Sequence, residues 1–274
     1  MPIFSRNFNK PGPGVPKDEP RKKGAARFFE LLVRDFWELM KLNILFSLTA
    51  LPSVATFIIG FFGIIPEMSF VLIIAAIVLA FPIGGGLSAC IYYITKLMRD
   101  DPSFVWYEYK RKLMENVRQA APVGMICTAF IYAHIMIWTS LWATLVAEQP
   151  VGDLAWYIIG FISLVIFFLI VPYIFLHFAY IDLKSLQTIK NSVLMSFGYF
   201  PRSFMGSLLG NIIWIVFVLF MPISIIAFPV IPLIAFTMSM LLCMMWVWPP
   251  FNKHFSIEET LVKRVQDETE AGME

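Results

Sequence analysis

Six long apolar runs divide the chain, and none of its 21 Lys and Arg residues falls inside one. Nine precede the first run (Arg6 to Lys41), and six lie between the second and third (Lys96 to Arg118). Three lie between the fourth and fifth (Lys184, Lys190, Arg202) and three after the sixth (Lys253, Lys263, Arg264). The other three connections carry no basic residue, and their only charges are Glu67, Glu148 and Asp153. Basic residues stay on the cytoplasmic side of a bilayer, so this alternation predicts six spans with both termini in the cytoplasm. The expected fold is all-α: a polytopic membrane bundle of six transmembrane helices with cytoplasmic amphipathic interfacial helices.

Composition agrees. The chain is 59% hydrophobic and only 15% charged, with a mean hydropathy of +0.75. A soluble chain would need about a quarter of its residues charged to cover its surface. The net charge of +2 says little, because the bases are sorted to one face, where a leaflet of anionic lipid headgroups is the expected partner. Cys90, Cys127 and Cys243 lie inside apolar runs without CxxC spacing or a companion His, and read as small packed side chains.

The expected organisation is a Pro/Gly/Lys tail over 1–24, a membrane domain over 25–250 and a cytoplasmic C-terminal tail over 251–274. The first tail has no apolar stretch of signal-peptide type and little surface to bury, and is expected to be disordered. Over 25–41, Phe28, Leu31, Leu32, Phe36 and Leu39 recur at helical spacing opposite Arg27, Glu30, Arg34 and Glu38, predicting an interfacial helix. The spans are read at 42–65, 70–95, 121–146, 154–181, 204–227 and 230–248, each near the ~20 apolar residues a crossing needs. Pro52 kinks the first, and Pro229 and Pro232 make a tight turn before the last, which ends at Trp248-Pro249-Pro250. Asp101 and Pro102 predict the start of a second interfacial helix, and 183–200 a third. Ser256 and Glu259 have capping-box spacing for a short helix striped by Ile257, Leu261 and Val265. An interfacial aromatic belt is expected from Trp37, Trp106 and Trp248 inside and Trp142 and Trp156 outside.

Three features stand out as candidates for function. Pro82, Gly84, Gly85 and Gly86 interrupt the second span. Such a cluster either opens backbone groups to a substrate, as broken helices do in transporters, or lets helices pack closely through small residues; packing is the simpler account. It lacks the Lys-Ser/Thr of a phosphate loop. Gly206 to Gly210 is a GxxxG at the basic end of the fifth span, again read as packing. His134 is the one imidazole near mid-membrane, and no Asp, Glu, Lys or Arg lies in any span. Intramembrane ionisable groups tend to be functional, yet a neutral His bonding a neighbouring helix costs less. At ~1.5 Å per residue, His134 and His177 sit at different depths, which argues against a shared metal.

The third feature is the basic stretch where Trp106, Tyr107 and Tyr109 alternate with Lys110, Arg111 and Lys112. Bases snorkelling over anchoring aromatics at a membrane surface explain it better than nucleic acid does. No paired carboxylates, HExxH or GxSxG point to catalysis or a cofactor, and a non-enzymatic role is expected. A weak internal echo relates Tyr93-Ile94-Thr95-Lys96 to Tyr180-Ile181-Asp182-Leu183-Lys184, and Leu113-Met114 to Leu194-Met195.

Asn43-Ile44-Leu45-Phe46 with Leu51-Pro52, then Pro82-Ile83-Gly84, Ala89, Tyr92-Tyr93 and the segment from Lys110 to Asn116 resemble the YesL-like family of bacterial membrane proteins. The likeness covers most of 27–250. It implies a bacterial plasma-membrane protein of an uncharacterised family often encoded beside carbohydrate ABC-transporter components. By that association the resemblance implies an accessory or regulatory partner of a carbohydrate ABC transporter, in contact with its permease subunits. The alternative is a stand-alone transporter of a small neutral solute, relying on the broken span and His134.

Overall fold

A chain this apolar must satisfy its backbone polar groups internally, and every regular element among the described residues is a helix. The computed structural model describes residues 22–219 and 231–271, apart from 102, 149, 153 and 182. Helix α1 spans Gly24–Arg34 and α2 spans Phe36–Phe61. After a 3-10 turn at Pro66–Met68 come α3 (Ser69–Leu79) and α4 (Ile83–Met98). Then follow α5 (Val105–Val146), α6 (Leu154–Tyr180), α7 (Ser185–Gly198) and α8 (Phe200–Leu219). A π-helical turn at Ile231–Ala235 leads into α9 (Phe236–Phe255), and α10 spans Ile257–Ala271.

Among the described residues, four helices are long and apolar enough to cross a membrane: Phe36–Phe61, Val105–Val146, Leu154–Tyr180 and Leu233–Phe255. The pair α3–α4, bent by 43°, makes a fifth if it is one span. The remaining expected span, 204–227, begins in α8 and runs into residues outside those described, as do the tail before residue 22 and the expected turn at Pro229.

Several boundaries differ from those read in the sequence. The expected helix over 25–41 is split at Asp35. The Arg34 guanidinium holds the Asp35 carboxylate at 2.7 Å, and the Asp35 carbonyl accepts from Leu39 N–H to begin α2. The basic segment starts its helix at Val105 rather than at Pro102 and continues into the third span without interruption. The last span does not stop at Trp248-Pro249-Pro250: α9 runs on to Phe255, with Phe251 fully buried and packed edge-on to His177. Ser256 then turns left-handed (φ 46°), and Asn252 Oδ1, not a serine hydroxyl, accepts the Glu258 N–H that opens α10.

Two side-chain bonds show that α5 is bent. Tyr109 and Tyr132 are 23 residues apart, about 34 Å along a straight helix. Yet their hydroxyls bond Thr49 (2.8 Å) and Ser53 (2.7 Å), which sit one turn apart on α2. No tyrosine reaches far enough to bridge that difference, so the helix must curve between them. Pro122 lies midway, where the missing N–H and the ring's clash with the preceding turn kink a helix. Residues 105–120 are therefore an arm turned away from the crossing segment, within one helix.

The core is concentrated at the basic end. Residues 169 and 172–179 of α6 are buried, whereas over 154–168 only Gly160 is. The large cluster joins α1, α2, α4, α6 and α9 through Leu31, Leu39, Tyr93, Phe175, Met244 and Phe251. Among the described residues, Phe57, Ala76 and Tyr132 form a separate small cluster, with Phe61, Ile73 and Ile77 packed against it.

Candidate functional site

The α4–α5 hairpin carries most of the residues marked by the sequence, and it is held by charge pairs. Lys96 and Glu108 are both buried and meet at 3.0 Å, tying the end of α4 to the start of α5. Lys112 pairs with Glu115 at 2.8 Å and lies 4.8 Å from the centre of the Tyr92 ring. Arg111 bonds Glu108, Glu115 and the Tyr92 hydroxyl. Arg99 stacks at 5.7 Å over both Tyr180 and Trp248.

Helix α1 clamps onto the end of this hairpin. Arg27, itself buried, donates to both Asp100 carboxylate oxygens at 2.8 Å and to the Met98 carbonyl at 3.0 Å. Arg34 donates to Asp100 and to the Leu97 carbonyl. Two guanidinium groups thus cap the carbonyls at the C-terminus of α4, where the helix dipole favours cations. Asp100 adopts φ 61°, a left-handed conformation that Asp tolerates better than most residues. Partial burial opposes ionisation of Asp100, but the bonds from Arg27 and Arg34 outweigh it and hold its carboxyl below the ordinary range.

The six aromatic and basic candidates separate into two groups. Trp106 (65% exposed), Tyr107 (64%) and Lys110 face outward, and among the described residues they have no hydrogen bond or ion pair. Tyr109 (4%) points inward to Thr49, and Arg111 and Lys112 are engaged by Glu108 and Glu115. Tyr109 is therefore a strut of the fold rather than part of a surface. Trp37, Trp142 and Trp156 are exposed as a lipid belt requires, whereas Trp248 is buried and donates to Glu258.

The Pro/Gly cluster does two structural jobs. Pro82 has no N–H, and around it Ala80 N and Phe81 N fall back on Ile77 O and Val78 O at 3.2 Å, ending α3. Ser53 donates to Ala76 O in this last turn of α3 at 2.7 Å while bonded to Tyr132. Gly84, Gly85 and Gly86 are then helical, in the first turn of α4, not an unwound loop. A Cβ on Gly84 would sit 2.2 Å from Ala120 O, and one on Gly124 would sit 2.5 Å from Gly84 N. The break in the second span and the bend in α5 thus meet backbone to backbone. At the GxxxG, Gly206 and Gly210 approach Cys243 and Val247 of α9 in the same way.

His134 is buried and fully used. Its Nδ1 lies 2.8 Å from Phe130 O, and its Nε2 lies 3.0 Å from Ser163 Oγ and 3.2 Å from Gly160 O, to which the Ser163 hydroxyl donates at 2.9 Å. His177 donates from Nδ1 to Tyr173 O (2.8 Å), with Ser192 Oγ at 3.0 Å, and its Nε2 is buried against Phe251 and Phe255 without a hydrogen bond. Ser163 and His177 are 14 residues apart on α6, about 21 Å, so the two imidazoles do not converge. No group of three His, Cys, Asp or Glu among the described residues could hold a metal ion, and all three cysteines are free and buried.

Sequence reasoning missed the clamp. In the sequence Arg27 and Arg34 read as the polar face of an interfacial helix, and nothing local links them to Asp100. Their pairing joins residues 73 and 66 positions apart, which no local pattern signals. The two sides of the internal echo do touch: Thr95 bonds the Tyr180 hydroxyl, and the Tyr92 and Tyr180 rings are 5.4 Å apart. Comparison of the chain with protein-family models, curated proteins and solved structures found no match.

Proposed function

We propose that this chain is a six-span protein of the bacterial plasma membrane, with both termini in the cytoplasm. Its proposed role is that of a non-enzymatic accessory or regulatory partner of a carbohydrate ABC transporter. One observation carries the reading of a docking role: a basic end held by buried charge pairs presents Trp106, Tyr107 and Lys110 outward, while Ser53, Tyr132 and His134 of the spans are engaged in internal hydrogen bonds. Aromatic residues held on a stiff element make good interface anchors, because little side-chain entropy is lost on contact. The carbohydrate transporter as the partner comes from the resemblance to the YesL-like family alone.

A stand-alone transporter would draw on the broken second span and on His134. Both are taken up by packing and internal hydrogen bonds, which weighs against that alternative. The test is crosslinking in the native membrane followed by identification of the partner. Adducts with permease subunits, lost on replacing Trp106, Tyr107 and Lys110 with Ala, are expected. Sugar flux by the purified chain alone in liposomes would overturn the reading.

A further inference from the structure

Among the basic residues are two physically different sets, and the second has neither ion pair nor hydrogen bond among the described residues. Arg27, Arg34, Lys96, Arg99, Arg111 and Lys112 are all held by carboxylates or rings of this chain. Arg118, Lys184, Lys190 and Arg202 are exposed and have neither ion pair nor hydrogen bond among the described residues. They are gathered along α7. Ser185 Oγ donates to Gln119 O at 3.0 Å and Gln119 bonds Leu183 O, which sets Arg118 and Lys184 beside the same latch. Lys190 follows on α7 itself, and Arg202 lies one turn beyond its end, where its N–H bonds Tyr199 O at 3.0 Å.

Helix α7 is built inside out for a soluble surface. Thr188, Ser192 and Ser196 are buried, with Ser192 on His177, while Leu186 (79% exposed), Leu194 (63%) and Phe197 (51%) point outward. Its 14 residues extend about 21 Å, too short for a hydrocarbon core of about 30 Å, and its sequence contains no Asp or Glu. Apolar side chains interleaved with unpaired cations suit one environment: the boundary of an anionic leaflet, with the apolar groups among acyl chains and the amines at phosphates.

We propose that the outer face of α7, with Arg118, Lys184, Lys190 and Arg202, is a docking ledge for anionic phospholipid headgroups. Its residues are other than Trp106, Tyr107 and Lys110, and it rests only on the chain being a membrane protein. Each cation near an anionic surface is worth about fivefold in lipid preference. The test purifies the full chain, reconstitutes it into nanodiscs of equimolar phosphatidylcholine and phosphatidylglycerol, and measures the lipid ratio released with the protein by native mass spectrometry.

The wild type should release phosphatidylglycerol over phosphatidylcholine at a ratio of at least about ten to one, against one to one in the bulk. The quadruple variant R118Q/K184Q/K190Q/R202Q should fall to near the bulk ratio, and K184Q/K190Q to an intermediate value. The control K253Q/K263Q, which changes exposed bases elsewhere, should keep the enrichment. Among the described residues these side chains make no ion pair or hydrogen bond, so the variants should elute and melt like the wild type in neutral detergent. Enrichment that survives in K184Q/K190Q and the quadruple variant, or that is lost equally in the control, would overturn the ledge.

Discussion

Replacing Gly84 with Ala sets two effects of opposite sign against each other. Within a helix, Ala is favoured over Gly by about 1 kcal/mol. At Gly84, however, the new Cβ would lie 2.2 Å from Ala120 O and 3.2 Å from the Cα of Gly124. Both are backbone atoms, so no side chain can swing away, and α4 must separate from α5 by about an ångström, the shortfall from an ordinary contact. That separation loosens the whole hairpin seam, including Asn116 on Ser88 (3.2 Å) and Lys96 on Glu108 (3.0 Å). Overpacking of this kind costs about 1–3 kcal/mol before seam bonds are weakened. A net loss of roughly 2 kcal/mol is expected, which is a fall of about 5 °C in Tm at 2–4 °C per kcal/mol. Gly124→Ala should behave alike, since its Cβ would meet Gly84 N at 2.5 Å. Gly160→Ala is the control: its Cβ would find only Ile137 Cγ2 at 3.8 Å, an ordinary contact, so Tm should hold or rise. Thermal unfolding in detergent decides it. If Gly84→Ala melts at or above the wild type, the glycine contact is not what joins the two breaks.

Three further outcomes follow from the same geometry. Asp100→Asn keeps a residue that tolerates φ 61° but removes the charge between Arg27 and Arg34, so amide exchange in α1 should rise while that in α6 stays unchanged. The Asp100 carboxyl is held below its ordinary value of about 3.9, so its contribution is complete above that pH. It should be lost as the pH falls further, and α1 of the wild type, but not of Asp100→Asn, should loosen in acid. Ser53→Ala should cost more than Tyr132→Phe: the first strands both Tyr132 Oη and Ala76 O, about 1–3 kcal/mol, and the second removes one bond worth about 0.6 kcal/mol. Equal Tm values for these two variants would contradict the network.

Much of the helical layout was legible because lipid imposes length and composition on a span. Residues 154–181 read as a crossing helix are α6 to within a residue, and the proline that interrupts 70–95 does end α3. The sequence was less informative where tertiary contacts override local signals. The third span is read as beginning at residue 121, yet α5 runs unbroken from Val105 through Pro122, where Gly84 packs against Ala120 and Gly124. Pro249 and Pro250 read as a stop, yet buried Phe251 carries α9 onward. At the candidate face, aromatics and bases alternate along the sequence from Trp106 to Lys112. They did not show that Tyr109 turns inward while Trp106 and Tyr107 do not, because that depends on Thr49 sixty residues away.

The central claim, that the protein works through contacts at its basic end, is tested most directly by site-specific photocrosslinking in the native membrane. A photoreactive residue replacing Trp106 should give a discrete adduct with an ABC-transporter permease subunit. The same probe replacing Ile58, on the exposed apolar face of α2, should give only lipid adducts. Protein adducts of equal yield from both positions, or none from position 106, would contradict the account.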